Sequence, residues 1–289
     1  MRKFVLKTTC RALSRRAAAV ALVSWAIGAQ AVVVYDSTPA VVPANLPSQP
    51  YQAQQTAEFG DHVQLAGSAR QLTTVTMTMS NWAYQSIYLS DPRYSGANLN
   101  NAGYTHNLTA NLYAVNTSGP TPAAGALLTT LTQATLIPWR AEPNAACPGI
   151  QWLSAEGCRN GMAFKVTFDF SAANITLPDD VIFSMAMNTQ TYGANPIGSN
   201  GPYNSLNFAL TGGTTVGTDA NNDAVFWNTS NGANLTNPAN AGVFAQDQGG
   251  WVGFTPAFQI SAVPEPEAYA LALAGMLMVG VFGARRRKG

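Results

Sequence analysis

The sequence predicts an all-β fold, a single antiparallel β-sandwich with a jelly-roll-like arrangement, and three observations lead to it. Apolar and polar residues alternate with a period of two in several stretches. Clusters of Gly, Pro and Asn separate these stretches, as turns separate short strands. Between the two ends of the chain, no long stretch has the 3.6-residue period of an amphipathic helix. Many short strands joined by such turns are typical of sandwiches and barrels.

The predicted strands follow from the alternation, taken in chain order. The clearest signals lie at 74–79, 108–114, 162–170 and 181–188, with shorter apolar runs at 206–210, 225–227 and 258–260. We expect about eight to ten short strands in total. In antiparallel sheets one face of a strand meets the core while the other meets water, so we also expect one wet face per sheet.

Charge separates the ends of the chain from its body. Only 10% of the 289 residues are charged and 47% are hydrophobic, which excludes a disordered polyelectrolyte. Between Val32 and Val263, five basic residues face twelve acidic ones, a net charge of −7. Because phosphate contacts need clustered cations, this balance argues against nucleic acid as a partner.

Residues 1–31 have the pattern of a secretory signal peptide. Six basic residues lie within the first 16 positions, an apolar run follows at 17–28, and Ala29-Gln30-Ala31 is an A-x-A cleavage site. The apolar run is short for a membrane span, which disfavours the alternative of an uncleaved anchor. We therefore expect export and cleavage near Ala31.

The body divides into two predicted parts. Residues 32–55 contain four prolines among small and polar residues, which predicts an extended, partly disordered leader. The alternating pattern begins near Thr56, so the predicted sandwich domain covers residues 56–262. Residues 263–289 form a separate tail.

The tail has three parts in a fixed order. Pro264, Glu265 and Pro266 come first, and residues 268–284 follow without a charge. As a helix this apolar run would be roughly 25 Å long, enough to cross a thin bilayer as a transmembrane helix. A basic cluster ends the chain and would stay on the cytoplasmic side as a stop-transfer signal. This cluster is Arg285, Arg286, Arg287 and Lys288.

This order of features resembles the PEP-CTERM sorting signal of Gram-negative bacteria, a tail also catalogued as the C-terminal domain of ice-binding proteins. The resemblance implies that an exosortase recognises Pro264, Glu265 and Pro266 and cuts the chain near them. It further implies an anchor in the inner membrane that is transient, and then delivery to the cell surface or beyond. Many substrates of this family accompany exopolysaccharide production. A plain C-terminal anchor that is never processed is the alternative.

The body resembles a recurrent secreted domain of uncharacterised bacterial proteins, which often precedes such tails. The residues that carry this resemblance are 59–82, 137–140 and 201–207. The resemblance implies one domain and assigns no catalytic residue.

Two cysteines remain after the signal peptide, and both lie in one predicted loop. Cys147 and Cys158 reach an oxidising compartment on export, so we expect a disulfide between them. Closing so short a loop should stabilise the fold by about 2–3 kcal/mol. A metal site or a catalytic thiol is the alternative, which the absence of a nearby His disfavours.

Catalytic motifs are missing, and we expect a protein that is not an enzyme. His62 and His106, the only histidines, are predicted to be solvated residues at strand ends. Glycosidases need two carboxylates across a cleft. Glu142 and Glu156 flank the cysteine loop and are the candidates for the alternative function, a secreted carbohydrate-active enzyme, although each is by default a solvated loop acid.

One loop offers oxygen ligands at alternate positions. Asp219, Asn221 and Asp223 have the spacing that suits Ca²⁺, a cation that prefers carboxylate and amide oxygens. The rest of the EF-hand pattern is absent, since Ala224 stands where glycine is expected. A structural Ca²⁺ is therefore one reading, and a plain Asx-rich turn is the other.

Aromatic residues near turns suggest contacts with sugars. Trp82, Tyr84 and Tyr88 lie in one loop-rich stretch, and aromatic side chains with polar tips on loops make adaptable contact surfaces. The alternative is that such aromatics cap the edge of the core.

A row of threonines supports a lesser alternative, ice binding. Thr74, Thr76 and Thr78 form a T-x-T-x-T pattern, which could order water on a flat sheet. A single row in a twisted sandwich is a poor template, and exposed threonine also has good β propensity.

Together these observations predict an exported, non-catalytic protein of the cell surface or extracellular matrix. Its role would be structural or adhesive in an exopolysaccharide context, with glycan binding as the specific form. The expected partners are the exosortase, the membrane through the tail, and exopolysaccharide or other surface proteins.

Overall fold

Two antiparallel β-sheets form the centre of the computed structural model, which describes residues 30–94 and 99–265. The strands in chain order are β1 Val32–Asp36, β2 Ser48–Pro50, β3 Thr56–Gln64, β4 Gln71–Asn81, β5 Leu99–Asn100, β6 Gly103–Asn116, β7 Ala123–Pro138, β8 Trp152–Ser154, β9 Gly157–Arg159, β10 Met162–Asp169, β11 Asp180–Met187, β12 Leu206–Thr211, β13 Thr218–Asp219, β14 Ala224–Thr229, β15 Ala245–Gln248, β16 Thr255–Pro256 and β17 Phe258–Val263. One helix, α1 Gln85–Leu89, and 3₁₀ turns at Pro92–Tyr94, Ser171–Ala173, Pro202–Ser205, Gly232–Asn234 and Pro238–Asn240 complete the fold.

The strand order defines two sheets. Sheet I runs β1-β17-β4-β12-β16, with β10 also paired to β4 and β2 to β12. Sheet II runs β15-β14-β3-β11-β6-β5, with β13 paired to β3 and β7 to β6. Strands β8 and β9 form a separate hairpin. The all-β, antiparallel class that the alternation predicts is confirmed.

Aromatic side chains from both sheets meet in one core. Phe59 and Phe183 of sheet II approach Phe208 of sheet I, with ring centroids 6.2 and 6.3 Å apart. Phe183 also lies 4.3 Å from Phe258 of sheet I. All four rings are fully buried. The two sheets therefore pack face to face as a sandwich.

All seven predicted strand regions lie in strands, but the protein has more strands than predicted. The described residues contain seventeen strands rather than eight to ten. Most of the additional strands have only two to five residues, a length in which a period of two is hard to recognise.

The predicted leader at 32–55 is wrong in its boundary, because these residues are part of the sandwich. β1 pairs with β17, and β2 pairs with β12. Tyr35 and Tyr51 are fully buried, and the Tyr51 hydroxyl donates to the backbone oxygen of Met185 at 2.7 Å. Prolines are tolerated at sheet edges and strand ends, so the proline spacing did not exclude strands here.

The expectation of one wet face per sheet holds for β10 but not for β11. Lys165 and Thr167 on β10 are exposed, opposite the buried Val166. On β11, Ile182 and Ser184 face away from the core and are nevertheless fully buried. The outer face of sheet II is thus shielded from water at its centre.

The predicted signal peptide and the predicted sorting tail with its transmembrane helix lie mostly outside the described residues. The parts outside are the signal peptide through residue 29 and the tail from Pro266 onward, including Arg285–Lys288. In the part of the chain that the structure describes, no helix has both the length and the apolar character needed to span a bilayer.

The threonine row proposed for ice binding is not a fully exposed row. Thr78 is completely buried, and the Thr76 hydroxyl is hydrogen-bonded to that of Thr167 at 2.8 Å. The exposed part of the row is therefore shorter than the sequence pattern.

Candidate functional site

The predicted disulfide between Cys147 and Cys158 is confirmed. Their Cα atoms are 5.6 Å apart, and the bond closes the loop that carries the β8–β9 hairpin. The Trp152 indole nitrogen donates to the backbone oxygen of Gly161 at 2.8 Å. The bond therefore braces a hairpin that projects from the two main sheets.

Arg140 fastens this hairpin to the sandwich. The side chain is only 2% exposed, and its guanidinium donates to the backbone oxygens of Trp82, Ala141 and Ile150 at 2.9, 2.7 and 2.7 Å. It also lies 4.5 Å above the ring of Tyr84, within the range of a cation–π contact. One buried cation thus connects Trp82, Tyr84 and the disulfide loop, through hydrogen bonds to carbonyl oxygens and a contact with the Tyr84 ring.

The three aromatics predicted to bind glycans make different contacts. Tyr84 lies under Arg140, and Trp82, 40% exposed, donates its indole N–H to Ser80 at 3.2 Å. Tyr88 instead packs against Tyr94 and Trp139, with ring centroids 4.8 and 5.8 Å apart. Of these three residues, only Tyr88 belongs to a cluster of aromatic rings in the described part of the chain.

An aromatic pocket lies next to this cluster, between the start of β6 and two loops. Its volume is about 280 Å³, near the lower end of ligand pockets in proteins. Tyr94, Tyr104, Tyr203 and His106 contribute its rings, and Arg93, Thr105, Ile197, Ser199, Asn200 and Pro202 complete the lining.

His106 gives the aromatic pocket an unused hydrogen-bond acceptor. The residue is 7% exposed, and its ring stacks on Tyr203 with centroids 5.3 Å apart. Burial lowers the pKa of His106 to about 4, against a smaller opposing effect of a hydrogen bond to the Asn188 backbone. The imidazole is therefore neutral at pH 7, and its Nε2 atom is buried with no partner in the described structure.

This burial corrects the prediction that His106 is a solvated strand-end residue. In β6, its neighbours Thr105 and Asn107 are exposed while His106 is buried, so the strand directs it inward. A strand end covered by a distant loop remains dry, and residues 197–203 supply that cover. The spacing of residues in the sequence did not indicate that the loop at 197–203 would cover His106.

Polar groups surround the rings. Asn200 donates to the Tyr94 hydroxyl at 3.1 Å and accepts a hydrogen bond from Asn204 at 2.7 Å. Arg93 is exposed at the rim and forms an ion pair with Asp91. The aromatic pocket thus offers ring faces, a neutral acceptor and a cation at its mouth.

The predicted calcium loop uses its oxygens internally. The Asp219 carboxylate accepts hydrogen bonds from the backbone N–H of Asn221 at 3.0 Å and from the Thr255 hydroxyl at 2.9 Å. Asn221 accepts from the Asp223 amide at 3.2 Å, and Asp223 accepts from the Trp251 amide at 3.1 Å. Each of these oxygens already accepts one hydrogen bond, and calcium binding stays a prediction. The described residues contain no group of three or more His, Cys, Asp or Glu side chains placed to hold a metal ion.

The two glutamates of the enzyme alternative contact different elements. Glu142 accepts from the Ser86 amide and hydroxyl at 2.9 and 2.6 Å, at the start of α1. Glu156 accepts from the Ala44 amide at 3.2 Å and pairs with Arg159. No hydrogen bond of the described structure joins the two carboxylates to a shared group.

The places where the predicted signal peptide and the tail meet the body lie side by side. β1 begins at Val32, β17 ends at Val263, and Val32 is opposite Ala262 in the antiparallel register. The predicted cleavage site at Ala31 and the Pro264-Glu265-Pro266 segment therefore leave the sandwich at the same end of adjacent strands.

Comparison with protein families matches residues 262–288 to the PEP-CTERM protein-sorting motif. The match confirms the tail resemblance and implies export with exosortase processing. It begins at Ala262, the last-but-one residue of β17, so the sorting motif follows the sandwich without a long linker. No curated protein and no solved structure matches the chain. The role of the body therefore has to be argued from its own geometry.

Proposed function

We propose that this exosortase substrate is a non-catalytic protein of the cell surface or extracellular matrix that binds a sugar unit of the exopolysaccharide in its aromatic pocket. Its role is structural or adhesive. The observation that carries the proposal is a pocket of tyrosine rings that neutral His106 also lines, with the His106 Nε2 atom buried and unpartnered behind it.

The chemistry of the pocket fits a neutral sugar ring. The rings of Tyr94 and Tyr203, which line the pocket, can pack against the apolar C–H face of a sugar. A small movement of the His106 ring would let a sugar hydroxyl donate to Nε2, which otherwise remains a buried acceptor without a hydrogen bond. Asn200 can bond further hydroxyls. The volume of about 280 Å³ suits one ring rather than a long oligomer.

The sorting signals fit this role. Because both ends leave the sandwich at the same place, the body can fold while the tail still holds it in the inner membrane. Cleavage near Pro264-Glu265-Pro266 would then free a finished domain. The proposal also includes two features that the sequence predicts, a transmembrane helix at 268–284 and a jelly-roll-like order of strands.

The test is retention of the exported protein on immobilised exopolysaccharide of the producing cells, with release of sugars followed in the same assay. His106→Phe keeps a ring against Tyr203 and removes the acceptor nitrogen, while His62→Phe makes the same change outside the pocket. We expect about tenfold weaker retention for His106→Phe, the loss of one buried hydrogen bond of about 1.4 kcal/mol. Retention by His62→Phe should equal that of the parent.

A second pair of variants tests the rim. Arg93→Ala should weaken retention, and Arg159→Ala, which removes an arginine outside the aromatic pocket, should not. Equal retention of the parent and of both pocket variants would refute the proposed site, provided that all variants melt as the parent does.

Two further outcomes separate the alternatives. Release of sugars, abolished in Glu142→Gln or Glu156→Gln, would establish the carbohydrate-active enzyme instead. Loss of retention in chelator would point to Ca²⁺ at Asp219, Asn221 and Asp223. No retention would direct attention to other surface proteins as partners.

A further inference from the structure

The long edge strand of sheet II, β7, has one hydrogen-bonded backbone partner among the described residues, and it also approaches β10 and β15 without backbone hydrogen bonds. β7 pairs with β6 over residues 103–116, and β11 occupies the other side of β6. In the described structure, backbone groups of residues 123–137 form no hydrogen bond to any element other than β6. One side-chain contact reaches across, from Gln133 to the backbone oxygen of Thr167 at 3.2 Å. β7 therefore presents a row of free backbone donors and acceptors.

The other exposed edges of the two sheets are short or charged. β10 carries Lys165 and Asp169, and β15 has four residues including Asp247. β1 has five residues and is bridged by Val216, which accepts from the Asp36 amide at 2.9 Å. Such features prevent edge-to-edge pairing in natural sheets.

β7 lacks all of these features. It has 16 residues, and no Lys, Arg, Asp or Glu lies anywhere between Arg93 and Arg140. Leu127 and Leu136 are 50% and 49% exposed on it. A long, uncharged edge with exposed leucines is a template for a further strand.

The chemistry of β7 favours a second copy as the occupant. The body carries a net charge of −7, so two copies repel each other except where their surfaces are neutral. An antiparallel β7–β7 pair would set threonine and leucine opposite threonine and leucine, with no charge on either side. The same row already pairs well with β6, where the Thr109 and Thr132 hydroxyls are 2.7 Å apart.

We propose that β7 pairs antiparallel with β7 of a second copy of this chain. The pair has two-fold symmetry with the axis at residue 130, so that Ala126 of one copy lies opposite Ala134 of the other, and it joins two eight-stranded sheets into one. Because the same edge is used by both partners, the assembly closes at two copies and does not grow. The proposal does not depend on carbohydrate binding.

The test uses the exported protein purified from the producing cells and measures its mass by sedimentation over a dilution series. We expect a dimer that dissociates on dilution. Ala126→Lys/Ala134→Lys places charges on the exposed edge and should weaken association about tenfold or more, since like charges would face each other across the new pair.

Ala155→Lys/Ala172→Lys is the matched control, because both alanines are exposed and lie outside β7. This variant has the same net charge as the edge variant and should dimerise like the parent. Equal association of the two variants would overturn the proposal, as would a monomer at every concentration or a polymer that grows with concentration.

Amide hydrogen exchange of the parent protein gives a readout that needs no variant. Exchange within residues 123–138 should slow as concentration rises, while exchange at β10 should not change. An unchanged rate in β7 across the dilution series would also overturn the proposal, even if the lysine variants fail to fold.

Discussion

Arg140 offers the sharpest test of how the disulfide hairpin is fastened to the sandwich. The variant Arg140→Met keeps most of the aliphatic stem but removes the charge and all donors. Three backbone oxygens, on Trp82, Ala141 and Ile150, then lose their partner. These oxygens lie directly after β4, directly after Arg140 and in the disulfide loop, so the change loosens three segments together.

The expected loss follows from the bonds. A hydrogen bond from a charged donor contributes about 1.5–3 kcal/mol, so three set a ceiling of about 4.5–9 kcal/mol. Ile150 is 59% exposed, so water can reach its carbonyl, and the methionine stem retains packing. We therefore expect Arg140→Met to lower the free energy of unfolding by about 3–5 kcal/mol.

Urea unfolding with the disulfide intact measures this loss. Arg140→Lys should recover only a part, because a compact ammonium cannot bond three carbonyls in the fork geometry of arginine. Arg159→Met, whose side chain is partly exposed, is the control and should lose less than about 1 kcal/mol. A loss below about 1 kcal/mol for Arg140→Met would refute the reasoning, since the three bonds would then be replaced by water at no cost.

Three further predictions concern the sandwich. Reducing the Cys147–Cys158 bond, which links residues 11 apart, should destabilise the protein by about 2.8 kcal/mol in paired unfolding curves with and without reductant. Burial raises the pKa of Asp61 well above its ordinary value. As pH rises above about 4, Asp61 therefore loses its proton in the unfolded chain before it does so in the folded protein, and the free energy of unfolding falls. Asp61→Asn should therefore be more stable than the parent at pH 7, with the difference vanishing at or below pH 4 in melting experiments; equal pH profiles would contradict this. Gly60→Ala should prevent folding or cost more than about 3 kcal/mol, because a Cβ would lie 1.9 Å from a backbone oxygen of β11, while Gly212→Ala, in open space, should change melting little.

Among the strands that the sequence predicted, β10 has the clearest contrast between a dry and a wet face. At 162–170 the contrast between buried Phe168 and exposed Lys165 is large, and the period of two is visible. β7 was missed because both of its faces are partly exposed, which weakens the hydrophobic contrast. Periodicity reports burial, and an edge strand with little burial shows little of it.

The aromatic pocket could not be predicted because distant segments build it. Tyr94, His106 and Tyr203 come together across more than 100 residues of chain. Sequence reasoning placed Tyr88 near the right rings from the local density of aromatics. The loop at 197–203 that dries His106 has no local signal, since its contacts are set by the packing of the two sheets.

The edge of the sandwich from which both ends of the body leave is different from the β7 edge that we propose forms the dimer. β1 and β17, where the signal peptide and the sorting motif join the body, lie at one side of sheet I. β10 lies across β4 from β17, three strand spacings or about 14 Å from β1. Because Gln133 of β7 contacts Thr167 of β10, the β7 edge lies on that far side. Attachment to the membrane therefore leaves the β7 edge open, and a dimer formed there would present two aromatic pockets to one polymer. Two linked pockets hold a repetitive chain more strongly than either alone, because the second contact forms at high effective concentration.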